Sequence, residues 1–119
     1  MSRIALLAAG LVATLALAAP IGATSSVTKL TGTVGPGFTI SLKKGTAKVK
    51  TLRAGMYKIT VSDKSNIHDF HLMGPGVNKV ITTTPFKGTK TVTVKLKKGT
   101  YKYVCDPHAT FMKGSFKVT

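Results

Sequence analysis

Residues 101–118 read YKYVCDPHATFMKGSFKV. From Tyr101 to Cys105, and again from Gly114 to Val118, large or apolar side chains alternate with polar ones. That is the period-two pattern of a strand with one face in a core and the other in water. Tyr101, Tyr103 and Cys105 share the inward face and Lys102 takes the other. Asp106-Pro107 turns the chain at once, so Asp106 to Lys113 form a loop between two strands. Cys105, the only cysteine of the chain, therefore points inward at a strand end, with His108 and Met112 on the loop beside it.

The same alternation recurs upstream, in Lys58-Ile59-Thr60-Val61 and in Thr91 to Leu96, and no stretch after Ser25 shows the 3.6-residue apolar period of a long helix. The expected strands are Val27–Val34, Thr39–Leu42, Ala47–Lys50, Met56–Ser62, His68–Met73, Lys79–Thr83, Thr91–Leu96, Thr100–Cys105 and Gly114–Val118. Glycine-containing turns separate them, among them Gly35-Pro36-Gly37, Gly74-Pro75-Gly76 and Lys97-Lys98-Gly99. Short strands at this spacing predict an all-β fold, a two-sheet antiparallel sandwich of the Greek-key kind.

The first residues read differently. Arg3 is followed by an uncharged run from Ile4 to Thr28, rich in alanine and leucine up to Pro20, with small residues at Ala16, Ala18 and Ala23 where a secretory signal is cut. The expectation is a signal peptide over 1–23 and one domain over 24–119, placed outside the cytoplasm in the periplasm, the extracellular space or at the cell surface. Retention of the run as a membrane anchor is the competing reading, since it is just long enough to span a bilayer. The remaining length suits one small domain with a modest core.

The chain carries 18 Lys and Arg against 3 Asp and Glu, a formal net charge of +15. Such a field attracts anionic partners and opposes self-association, which predicts a monomer, an acidic redox partner protein and attraction to an anionic cell envelope. Nucleic acid is not expected, because the lysines are scattered over strand faces and are not clustered among exposed aromatics. Lysine on a wet strand face also blocks edge-to-edge pairing.

Cys105, His108 and Met112 can surround one atom, and a fourth donor must come from His68 or His71 in Asn66-Ile67-His68-Asp69-Phe70-His71-Leu72. An offset of three places these two histidines on opposite faces of a regular strand, and His68 is favoured by its position at the strand start. One thiolate, two imidazoles and a thioether suit copper in both Cu(II) and Cu(I), whereas structural zinc sites use paired cysteines or Cys/His sets. A Cys-His nucleophile lacks an orienting third group and an oxyanion site, so no enzyme is expected. Three histidines cannot furnish a second copper centre, which excludes a multicopper oxidase or nitrite reductase in one chain.

YKYVCDPHATFMKGSFKV resembles the C-terminal copper loop of the cupredoxins, the plastocyanin and amicyanin group, and IHDFHL resembles the strand that gives their first histidine. The resemblance implies a mononuclear type 1 blue copper site at one end of a Greek-key sandwich, and one-electron transfer. Carried over by motif, His68 is the first ligand, Cys105 the thiolate, His108 the second imidazole and Met112 the axial ligand. Three features depart from the relatives: the spacing of His108 and Met112 falls between their shorter and longer loops, Asp69 stands where they usually carry Asn, and His71 is additional. Relatives also surround the second histidine with an apolar patch, for which Pro107, Ala109, Phe111, Met73 and Pro75 are the candidates. A one-electron carrier is the leading reading, and a copper storage or delivery protein the alternative.

Overall fold

The computed structural model describes residues 26–119, together with Gly10. Apart from Gly10, the signal expected over 1–23 lies outside the described residues. Ten strands follow in order: β1 Thr28–Val34, β2 Ile40–Lys44, β3 Ala47–Lys48, β4 Thr51–Leu52, β5 Gly55–Asp63, β6 Phe70–Gly74, β7 Val77–Thr82, β8 Gly88–Leu96, β9 Gly99–Val104 and β10 Lys113–Val118. They form two five-stranded sheets, β3-β2-β1-β5-β8 and β4-β10-β9-β6-β7, so the two-sheet sandwich read from the alternation is the observed architecture.

Two differences from the expected pairing stand out. β1 runs parallel to β5 and β10 runs parallel to β4, so both sheets are mixed and not antiparallel throughout. Parallel neighbours need a long connection. Residues 35–54 supply one, since they cross from the first sheet to the second and back between β1 and β5. The second difference is β4, which alternation does not reveal because two residues are too few to show a period.

The core is what period two predicts. Leu30, Leu42, Ile59, Val61 and Leu96 from the first sheet face Phe70, Leu72, Tyr101, Tyr103 and Phe116 from the second, all buried. The second sheet is aromatic in depth: Phe70 stacks on Tyr103 with centroids 5.6 Å apart, and Tyr101 on Phe116 at 5.3 Å. These rings lie over glycine. Tyr103 is the direct cross-strand partner of Gly114, and a Cβ at Gly114 would collide with the Tyr103 ring, as one at Gly74 would with Tyr101. Buried tyrosine oxygens need partners; that of Tyr101 donates to the Pro75 carbonyl at 2.7 Å and accepts from the Lys97 amide at 2.9 Å.

β1 and β5 end, and β2, β6 and β8 begin, at the same end of the sandwich, where β9 also delivers Cys105 and β10 starts. That end carries the site.

Candidate metal centre

The register of β6 against β9 builds the centre. His71 lies opposite Val104 and Leu72 opposite Tyr103, so the residues just before β6 meet those just after β9. His68 and Cys105 both sit outside the strands proper, one two residues before Phe70 and the other directly after Val104; the expected strands ran slightly too long at these ends. The amide of Asp106 donates to Asp69 Oδ1 at 2.6 Å across the same gap.

The loop is equally determined. Cys105 precedes a 3-10 turn, Asp106–His108, with Pro107 in its first turn, where the missing N–H costs nothing. The His108 amide donates to the Cys105 carbonyl at 3.0 Å and the Met112 amide to the His108 carbonyl at 2.9 Å. The Cys105 amide donates to the Met112 carbonyl at 3.0 Å, which closes the loop and sets Met112 beside Cys105. Cys105 and Met112 are both buried in the one core cluster.

Three donor atoms converge. Sγ of Cys105 lies 3.7 Å from Nδ1 of His68 and 3.5 Å from Nδ1 of His108, and the two nitrogens are 3.2 Å apart. The circumcentre of a triangle with these edges is ~2.0 Å from each atom, about the length of a metal–imidazole bond and a little under a metal–thiolate bond. The proton positions fit a cation too. Nε2 of His68 lies 3.0 Å from the Gly37 carbonyl, which can only accept; Nε2 therefore carries the proton and Nδ1 presents its lone pair to the centre. Two imidazole nitrogens and a sulfur facing one point, with the His68 lone pair turned toward it, are a donor set for a soft or borderline metal ion, which the residues present fit.

Burial pushes the Cys105 thiol above its ordinary pKa, so without a cation the sulfur is held as an inert thiol; a bound metal ion deprotonates a coordinating thiol outright. Asp69, in the position where relatives usually carry Asn, is buried, and desolvation followed by the proton it shares with Asp106 raises it to about 6. Its partner Asp106 is lowered by that same hydrogen bond.

The structure separates the two histidines that periodicity left open. His68 joins Cys105 and His108 in a group whose candidate ligand atoms all lie within 4.8 Å of one another. His71 faces outward, with Nδ1 3.0 and 2.9 Å from the two carboxylate oxygens of Asp106 and Nε2 against Oδ1 of Asn78. It thus ties β6 and β7 to the first residue of the ligand loop. Partial burial works against its charged form, but the hydrogen bonds to Asp106 and Asn78 outweigh it and the pKa rises above 6.5. A raised histidine adds stability that is complete below pH 6.5 and is lost as pH rises through the folded-state value. In the metal-free protein, His71→Gln should therefore remove a decline in melting temperature above pH 6.5 that the parent shows. The expected size is below about 1 kcal/mol, because Asp106 is half exposed and solvent screens the pair; pH-dependent calorimetry of both proteins measures it.

Sequence reasoning missed Phe38. Its ring stands edge-on to His68 and His108, with centroids at 5.4 and 5.0 Å, and 5.8 Å from Phe111. Phe38 and Phe111 are nonetheless among the exposed large apolar side chains, so they form an apolar rim around the half-buried His108. Gly35 places this loop: its φ is +73°, and a Cβ there would press on Ser65 and on His68 Cδ2. Met73 and Pro75, proposed for the patch from sequence, lie at the other end of β6, where Pro75 packs on Gly99 and accepts from Tyr101. The run from His68 to Met73 is not one straight strand reaching the centre at both ends.

Comparison with known proteins agrees with this geometry. Residues 24–119 match the family described as copper binding proteins, plastocyanin/azurin family. No curated protein sequence matches the chain. Among solved structures it is similar in fold to the copper protein rusticyanin, with a TM-score of 0.55 at 22% identity and 76% of each chain covered. Rusticyanin variants give 0.52 at 27% identity, again over 76% of each chain. Reduced rusticyanin gives 0.51 at 26% identity over 76% of this chain and 78% of that one.

Proposed function

Because the chain belongs to the plastocyanin/azurin family of copper-binding proteins, we propose that it is an exported, mononuclear type 1 copper protein that carries single electrons. In this reading Nδ1 of His68, Sγ of Cys105 and Nδ1 of His108 would hold the ion and the Met112 thioether would be a fourth, weak donor, a His2Cys set with methionine. The observation that carries it is the convergence of those three atoms with the His68 tautomer fixed by the Gly37 carbonyl.

When bound, copper supplies the one-electron couple Cu(II)/Cu(I). The protein's own part is to keep the donors still, so that neither oxidation state is strongly preferred and little rearranges on transfer. The backbone closure between Cys105 and Met112, the Gly37 contact and the packed rings of β6, β9 and β10 do this. Cys105 is completely buried, which shields the thiolate from disulfide exchange and argues for a carrier over a nucleophilic enzyme. His108, half-buried between the exposed rings of Phe38 and Phe111, is the exit for the electron, and an acidic partner docks there against the apolar rim with Lys113 at its margin.

The test is to add Cu(II) to the metal-free protein, record the visible spectrum and then titrate with a reductant. An intense blue thiolate-to-copper band that bleaches and returns reversibly over many cycles is the expected result. Tight Cu(I) binding without such a band would favour copper storage or delivery instead.

A further inference from the structure

The outer face of the first sheet carries a charge conflict that the chain does not resolve by itself. Lys29 on β1 is the direct cross-strand partner of Lys58 on β5, and Lys43 on β2 that of Lys48 on β3; all four side chains are exposed. Like charges placed directly opposite one another destabilise a sheet. Lys95 extends the group on β8, where it pairs with Met56. No carboxylate relieves it. Of the three acids, Asp63 and Asp69 are buried and Asp106 pairs with His71, and among the described residues no lysine or arginine forms an ion pair.

The conflict is also localised. On this face the row nearest the metal end consists of Ser41, Thr33, Ser62 and Thr89, adjacent in register and uncharged. Behind it Thr31, Thr60 and Thr91 are neighbours, with the Thr60 and Thr91 hydroxyls 3.0 Å apart. Lys43 and Lys48 continue this second row on β2 and β3, and Lys29 and Lys58 stand in the row behind it. A local rule broken on one part of a surface, without a compensating contact inside the chain, marks a place where the compensation comes from outside.

We propose that this lysine face binds a linear polyanion of the cell envelope, a polymer with a phosphate or other anionic group in every repeat. Adjacent strands lie ~4.8 Å apart and same-face residues along a strand ~7 Å apart, so ammonium groups on long flexible stems can each meet a separate anionic group of one polymer strand. Between Lys29 and Lys58, and between Lys43 and Lys48, such groups convert a repulsion into two attractions. A bilayer fits the face less well, because Met56 is the only exposed large apolar side chain on these strands and a flat hydroxyl-rich sheet has nothing to insert. Single-stranded nucleic acid fits less well because no aromatic on the face can stack on a base; the exposed rings of Phe38 and Phe111 are at the metal end. Held by the outer face of one sheet, whose row nearest the metal end carries no charge, the protein keeps His108 and its apolar rim free for a redox partner. This inference does not depend on the identity of the metal.

The test is calorimetric titration of the copper-loaded protein with inorganic polyphosphate over a series of salt concentrations, with the visible spectrum recorded throughout so that the metal centre is followed separately. Saturable binding, a rise in melting temperature and a linear fall of log affinity with log salt are expected. The K29Q/K58Q and K43Q/K48Q variants should each lower that slope by about 1.4, from about 0.7 per lost contact on a single strand, a loss of roughly 25-fold in affinity at about 0.1 M salt. Their own melting temperatures should not fall, since each removes a repulsion. The K97Q/K98Q variant, which removes the same charge from the turn between β8 and β9, should keep most of the slope. Equal losses in all three variants would show that net charge alone binds, and would overturn the proposal. Tighter binding to vesicles containing phosphatidylglycerol, or to single-stranded DNA of matched charge, would overturn it as well.

Discussion

Replacing Cys105 by serine should abolish the blue absorption of the copper-loaded protein altogether, and with it reversible one-electron chemistry. A serine hydroxyl is isosteric enough to leave the fold in place, but at neutral pH it is neither ionised nor soft. The charge-transfer transition needs a thiolate sulfur bonded to copper, so the band disappears and does not merely weaken. Binding of Cu(I) should weaken more than that of Cu(II), because the soft donor is the one removed. Two histidine variants complete the experiment. His68→Gln should lose or strongly shift the band, since Nδ1 of His68 is 3.7 Å from Sγ. His71→Gln should keep it, since that ring is occupied by Asp106 and Asn78. A persistent blue band in the Cys105→Ser protein, or its loss in His71→Gln with retention in His68→Gln, would refute the ligand set.

The second large effect is structural, and comes from a single methyl group. Gly114 occupies an inward-facing position of β10, two residues after Met112, and its Cβ would fall within the Tyr103 ring. That ring has little freedom to move: Phe70 stacks on it at 5.6 Å and Phe116 sits at 6.4 Å. Forcing extra volume into a close-packed interior costs 1–3 kcal/mol in most cases, and Gly114→Ala should fall at the upper end, about 3 kcal/mol, because the obstacle is a clamped aromatic and not the end of a flexible chain. For a domain of this size that lowers the melting temperature by roughly 10–20 °C. Gly37→Ala is the matching control. A Cβ there meets nothing within 4 Å, so its melting temperature should stay within a few degrees of the parent. A Gly114→Ala protein as stable as the parent would mean that Tyr103 can swing away and that the aromatic layer is softer than its packing suggests.

The two effects meet in one segment. Tyr101 to Val118 carries Cys105, His108, Met112, the stacked rings of Tyr101 and Tyr103, and Gly114, which Tyr103 covers. The loop is held at both ends by strands whose core contacts are aromatic, and across its mouth by the Cys105–Met112 backbone bond. A loop so anchored holds Cys105, His108 and Met112 in one fixed arrangement.

Much of this was legible in the chain as written. Side-chain alternation determined the strands and the inward face of Tyr101, Tyr103 and Cys105, because burial on one side of a pleated strand imposes period two regardless of partner. The donor chemistry determined copper, because a lone cysteine, two imidazoles and a methionine suit little else. His68 was not settled by the sequence: it and Asp69 precede β6 and are both buried, so strand parity does not reach them, and only the pairing of β6 with β9 decides which histidine meets Cys105. Other features belong to the tertiary structure alone. The parallel pairs β1–β5 and β10–β4, the Gly37 carbonyl that fixes the His68 tautomer, the Phe38 ring over both histidines and the opposition of Lys29 to Lys58 each join residues about 30 or more apart in the chain. Local preference acts over a few residues, while register and sheet order arise from the closing of the whole sandwich, and only that closure decides which distant residues come to face one another.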